Sequence, residues 1–255
     1  MTLELFDLQV LVLVGLATSV LSAVVGMAGG IVLLSVMLLY LEPLTAIPLH
    51  GAIQLVSNGS RAFIQRKHVD WALAGRYAIL LLPAGAAGLP VAYALPAALT
   101  RTLIGLFVLG ATWRPGWLVL GTHPENSRPK LRFFALGGVV GFLQVVIGAT
   151  GPLIAPFFLN LGLTRQALVG TKAACQMLGH LAKLVLFGIA GFAYGDWGLL
   201  LLTMSAAVVL GTWLGSRLLE KVNERMFTWL FKGVLTAVAL RLVVFEGWKL
   251  IGSLG

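Results

Sequence analysis

The chain has 255 residues, of which 59% are hydrophobic and 11% charged, and a formal net charge of +9; its mean hydropathy is +0.97. Soluble domains carry about 25% charged residues, so a soluble globular fold is excluded. The basic excess does not indicate nucleic acid, because the cations fall in short loops between apolar runs, where they carry topology information.

Glu4 and Asp7 occupy the place where a cleavable signal peptide has its positive region, so no such peptide is expected. The apolar run Leu8–Val25 is the first predicted helix, close to the length that crosses ~30 Å of hydrocarbon. A glycine turn, Gly26-Met27-Ala28-Gly29-Gly30, follows it. Residues 31–41 then form a segment too short to span, closed by Glu42-Pro43, so the first two segments read as a re-entrant or tilted hairpin. A third helix over Leu44–Ile64 carries His50, Gln54, Asn58 and Arg61. Their steps of four, four and three put them on one helical face. After Arg66-Lys67-His68, a fourth helix runs from Trp71 to Leu95 and a fifth from Leu99 to Leu120. The polar stretch Gly121–Lys130 is the one real linker.

The same order returns beyond it. A helix is predicted over Leu131–Ile147, a broken segment over Gly151–Leu161, a polar segment over Thr164–Tyr194, then helices over Trp197–Leu219 and Met226–Phe245. The turn Gly148-Ala149-Thr150-Gly151-Pro152 answers the first one. Lys172, Gln176, His180 and Lys183 fall 122 positions after His50, Gln54, Asn58 and Arg61 without a gap. Asp196-Trp197 answers Asp70-Trp71 at an offset of 126. The fold expected is an all-α integral membrane protein of two inverted repeats, residues 1–120 and 131–255, joined by a cytoplasmic linker at 121–130. Each repeat has about five helical segments, the second short or interrupted.

Charge sets the orientation. With the Arg66-Lys67 loop in the cytoplasm, the cytoplasmic ends hold Arg66, Lys67, Arg76, Arg128, Lys130, Arg132, Arg165, Arg217, Lys221 and Arg225. The outer ends hold Arg101 and Lys249 beside Glu4, Asp7, Glu42, Asp196 and Glu246. This is a positive-inside pattern. It puts both termini outside and inverts the halves, an arrangement common in secondary transporters.

The chemistry of the breaks and stripes points to an anion. An interrupted helix leaves backbone N–H groups free and concentrates partial positive charge where it resumes, and glycines let an anion approach that backbone. Gly26, Gly29 and Gly30, with Gly148 and Gly151, supply two such starts. The competing reading is that these glycines only let helices pack closely. His50, Arg61, Lys172, His180 and Lys183 are cationic or can become so, which is costly in a membrane without a partner. All nine acidic residues lie near predicted segment ends, so the counter-charge expected is a mobile anion. Snorkelling is the alternative for Arg61, Lys232 and Arg114. Gln54 and Gln176 can donate amide hydrogen bonds to an oxyanion, as can Asn58. His50 and His180 can carry protons. Cys175 is the single cysteine, which excludes an intrachain disulfide and reads as a small packing residue. No metal-spaced cluster, phosphate loop or nucleophile elbow is present, so neither enzyme nor cofactor is expected.

Two repeats with Gly-rich breaks, short helices and polar helices resemble the sulfite exporter TauE/SafE family of membrane permeases. The second turn follows the family pattern through Gly148, Gly151 and Pro156. The first has Gly26-Met27-Ala28-Gly29-Gly30, where the family tends to a run of three glycines, and Ser35 near the family's proline. The resemblance implies transport of sulfite, organosulfonates or related small anions; the residues themselves say only small anion. A bacterial inner-membrane permease working by alternating access is expected, with an anion channel or a non-transporting scaffold subunit as alternatives. Its partners are the anion and the lipid bilayer, not nucleic acid, and a homodimer is left open.

The orientation is testable by cysteine labelling at Thr2, Asn126 and Ser253 in a Cys175→Ser background. Impermeant reagent should reach Thr2 and Ser253 from outside and Asn126 only from the cytoplasm. A terminus labelled only from the cytoplasm contradicts the inverted arrangement.

Overall fold

The computed structural model describes residues 4–25, 29–119, 128–158, 161–218 and 224–252. Gly26, Met27 and Ala28, linker residues 121–127, Lys221 and both extreme termini lie outside the described residues. Among those described, the regular structure is helical throughout, in eleven α-helices. These are α1 (Leu5–Val25), α2 (Gly29–Tyr40), α3 (Pro43–Ile64), α4 (Trp71–Ala78), α5 (Leu81–Ala94), α6 (Ala97–Trp113), α7 (Pro129–Val146), α8 (Gly151–Ile154), α9 (Arg165–Ile189), α10 (Gly198–Leu218) and α11 (Glu224–Gly252).

By length and apolarity, Leu5–Ala23, Pro129–Val146 and Tyr194–Arg217 can each cross a membrane, and α4 with α5 is long and apolar enough together to be a fourth, bent candidate. The sequence predicts one continuous helix over Trp71–Leu95; instead α4 and α5 meet at a bend of 40°. Pro83 has no N–H for the Ile79 carbonyl, and its ring crowds that carbonyl, so the helix breaks just before it. The fifth predicted helix stops at Trp113, short of Leu120, because Pro115 follows and the chain continues as a 3-10 turn over Pro115–Val119. The polar segment expected to reach Tyr194 ends at Ile189, where Gly191 adopts a left-handed φ of 92° and closes the helix. Among the described residues of 151–161, only α8 is α-helical. A 3-10 turn at Ala155–Phe158 follows it, since Pro156 cannot donate to the next turn.

Two helix starts are capped as the sequence dictates. Asp70 accepts from the Leu73 amide at 3.0 Å, and Thr164 from the Ala167 amide at 3.3 Å. α2 is apolar all round and buried from Ile31 to Leu38, as a helix without a polar face must be. This short helix sits inside the protein rather than along its edge.

Two seams hold the bundle. α1 packs along α10, where Gly15 faces Met204, Gly211 faces Leu16 and Ser19, and Gly215 faces Val20 and Ala23. Both helices advance together, so they run parallel. α7 packs along α4 and α5 in the same sense. Gly137 faces the Tyr77 backbone, Gly141 the Leu81 backbone, and Gly88 Phe142 and Val145. Small residues allow this approach where no hydrophobic drive exists between lipid-embedded helices. α3 and α9 cross antiparallel between the seams, with Gly51 under Lys183, Gly59 near Met177 and Gly170 near Gln65. α6 and α11 form an outer antiparallel pair, with Gly105 against Ala239 and Val243.

The seam gives a direct test. A Cβ at Gly137 would run into the Tyr77 carbonyl, and one at Gly141 would lie 2.6 Å from the Leu81 carbonyl. Gly137→Ala and Gly141→Ala should each destabilise by ~1–3 kcal/mol, seen as a lower thermal midpoint in detergent. Gly75→Ala, with nothing within 4 Å, should leave the midpoint unchanged or raise it.

Candidate functional site

The polar stripes of α3 and α9 meet where these helices cross. Arg61 is 6% exposed and directs Nη1 to Asn58 Oδ1 at 3.5 Å. Asn58 donates through Nδ2 to the Gln54 carbonyl and to Gln54 Oε1, at 3.0 and 3.1 Å. The relay runs one way along the helix: guanidinium to amide to amide. It leaves the Gln54 amide nitrogen free to donate onward. Arg61 Nε is buried and has no partner.

His50 and His180 stand edge to face, their ring centroids 5.6 Å apart. His50 Nε2 lies 2.8 Å from the Gly30 carbonyl, and His180 Nδ1 lies 3.5 Å from Gln144 Nε2. Thr150 donates to Gln144 Oε1 at 3.5 Å. Lys183 donates from Nζ to the Gly148 carbonyl at 2.9 Å and lies 3.4 Å from His50 Nδ1. Lys172 is buried and within electrostatic reach of Arg61.

A cavity opens among these groups. Gly30, His50, Gln54, Asn58, Arg61, Gly151, Gln176 and His180 line it, together with Ser22, Ile31, Ala149, Thr150 and Pro152. Among the described residues, no Asp or Glu lies on its wall. Its free centre of about 20 Å³ is large enough for one water molecule; a pyramidal three-oxygen anion requires the side chains to part.

Of the other predicted site residues, Gly29, Gly148, Lys172 and Lys183 lie off the wall. Gly29 is pressed against the Thr18 carbonyl and Ser22 Oγ, so it serves the packing of α1 on α2. Gly148 takes a left-handed φ of 86° and its carbonyl receives Lys183. Gly26 lies outside the described residues. Lys172 and Lys183 are buried behind the wall. α8 has only four residues, so Gly151 offers more in space than in helix dipole.

Ser22, Gln144 and Thr150 are what the sequence reading missed. The signal was present: Ser22 and Gln144 are themselves 122 positions apart, one before each glycine turn. A lone polar residue in an apolar run is easily passed over.

Among models of protein families, the one for sulfite exporter TauE/SafE matches residues 11–242. The chain belongs to the TauE/SafE family. It is therefore an integral membrane protein of a transporter family, not an enzyme. No curated protein and no solved structure matches the chain. The TauE/SafE match spans both glycine turns, both polar stripes and every residue on the cavity wall.

The two turns are separable by substitution. Gly29→Ala drives a methyl group into the Thr18 backbone and should reduce folded yield. Gly151→Ala meets only the mobile end of Gln176, 3.0 Å away, so folded protein should persist while anion binding or uptake falls. Size-exclusion profiles read beside uptake distinguish the two. Equal loss of yield in both variants contradicts the assignment of Gly151 to the cavity.

Proposed function

We propose that this TauE/SafE protein is a secondary transporter that moves a small anion, a sulfur oxyanion such as sulfite or an organosulfonate, by alternating access. The observation that carries the reading is Arg61: a buried guanidinium on a cavity wall without carboxylates, its Nε lacking a partner. A charge so placed is costly unless an anion meets it. A three-oxygen anion can accept from Arg61, Gln54, Gln176 and His180 together, which separates it from a chloride-sized ion. The sulfur comes from the family description.

In this reading Gly30, His50, Gln54, Asn58, Arg61, Gly151, Gln176 and His180 form the substrate shell. Lys183 acts from behind, fixing His50 and the Gly148 turn, and Lys172 adds positive potential beside Arg61. Gly29 and Gly148 shape the breaks.

The inverted relation of the halves, residues 1–120 and 131–255, has support of its own. The contact of His50 with Lys183 and the approach of Arg61 to Lys172 exchange with each other under the 122-residue offset. In the seams, the repeat offsets carry Gly85 onto Gly211 and Gly141 onto Ser19, and these residues face each other in matching pairs. Parallel packing of α1 with α10 and of α7 with α5 fits a two-fold axis in the membrane plane, with both termini outside a bacterial inner membrane. Assembly as a homodimer is compatible with this arrangement.

The measurement is affinity for sulfite and a panel of sulfonates, read as thermal stabilisation of purified protein; ligand at a hundred times its dissociation constant adds ~2.7 kcal/mol. Arg61→Gln should weaken binding roughly ten- to a hundredfold, the worth of a charge-assisted hydrogen bond. Lys183→Gln should weaken it as well, through His50. Lys232→Gln is the control, its ammonium resting on Trp113 and Trp229, and should bind as the unaltered chain does. Equal affinity for Arg61→Gln and Lys232→Gln would falsify the site.

A further inference from the structure

A second cavity, of about 270 Å³, lies where the end of α2, the start of α6 and the C-terminal half of α11 come together. It is far roomier than the central one and has a different character. Arg241, Phe245 and Lys249 follow one another at four-residue steps and share a face of α11. Arg101 faces them from α6.

The charges around this cavity do not balance. Arg101 pairs with Glu42 at 3.1 Å and with Glu246 at 3.9 Å, and donates to the Leu41 carbonyl at 3.1 Å. Lys249 pairs with Glu246 at 3.3 Å. Two carboxylates therefore serve two cations. Arg241 is left over: it makes no hydrogen bond, ion pair or ring contact with any described residue. It also stands eight residues before Lys249, about 12 Å deeper along the helix, so its charge falls towards the hydrocarbon. The neighbouring wall is apolar, from Leu39, Leu242 and Phe245.

We propose that this cavity binds a membrane phospholipid, whose phosphodiester meets Arg241 while an acyl chain lies along Leu39, Leu242 and Phe245. One unmatched positive charge suits one phosphodiester, so a headgroup bearing no further charge, as in phosphatidylglycerol, fits best. A cation between helix ends, beside an apolar wall, offers both the charge and the chain contact that a phospholipid needs. The same phosphate chemistry in water-soluble form lacks the acyl chain that the apolar wall accommodates. The inference is independent of what the central cavity carries.

The experiment uses the full chain in detergent. Native mass spectrometry counts retained phospholipid, and thermal-shift titrations compare phosphatidylglycerol, phosphatidylethanolamine and inorganic phosphate. Phosphatidylglycerol should be retained and should raise the thermal midpoint more than the other two. Arg241→Gln should weaken that binding about tenfold or more without lowering the lipid-free midpoint, because Arg241 holds nothing else in place. Phe245→Ser provides the second arm: it keeps the charge and should still lose lipid. Lipid retention unchanged in Arg241→Gln overturns the proposal and leaves Arg241 a snorkelling arginine. Inorganic phosphate or sulfite displacing the lipid, or stabilising the protein through Arg241 as strongly, overturns it in favour of a free-anion vestibule.

Discussion

A charge inside a membrane protein must be met, and the centre of this one brings together cations with no carboxylate on the cavity wall. That imbalance governs the rest of the interior. Arg61 is held by amides rather than acids, and Lys183 by a backbone carbonyl; both are arrangements of dipoles around a positive charge. Dipoles soften the cost of burial but leave net charge behind. The ion pairs of Arg101 and Lys249 with Glu42 and Glu246 lie at the ends of their helices instead, where water shares the burden.

The crossing of α3 and α9 makes this possible. Two antiparallel helices with matching polar stripes put the start of one stripe against the end of the other, so His50 meets Lys183 and Arg61 approaches Lys172. The amide residues Gln54 and Gln176 fall in the middle, on the wall of the space between. The enclosed α2 and the short α8, of twelve and four residues, fall short of the about 20 residues that a span needs, and Gly30 and Gly151 at their starts line the same wall. Irregular backbone at that depth survives because it is buried in protein and faces a cavity.

Much of this was legible in the residues. The helical class followed from hydropathy, and the stripe from spacing, since period 3.6 is a property of sequence alone. Eight of the thirteen site candidates line the cavity. Gly26 lies outside the described residues, and the remaining four lie off the wall for physical reasons. Whether a glycine serves an anion or a neighbouring helix depends on what lies opposite it, and Gly29 is met by the Thr18 backbone. Whether a lysine points into a cavity or behind it depends on its rotamer; Lys183 folds over Gly51 to reach Gly148. Pro83 was visible in the sequence but its bend was not, because prolines are tolerated within membrane helices, as Pro48 and Pro90 are here. Sequence does not say which proline breaks its helix.

The two glycine seams also bear on how the chain is made. Each seam joins a helix from one half to a helix from the other: α1 with α10, and α7 with α4 and α5. Nearly two hundred residues separate α1 from its partner, so its groove stays unfilled until the ribosome is close to finishing. Neither half closes its own packing. Contacts of such long range delay folding because loop closure precedes any gain from them. The molecule is interlaced rather than concatenated, and its nascent first half must wait in the bilayer with the small-residue face of α1, Gly15, Ser19 and Ala23, open to lipid.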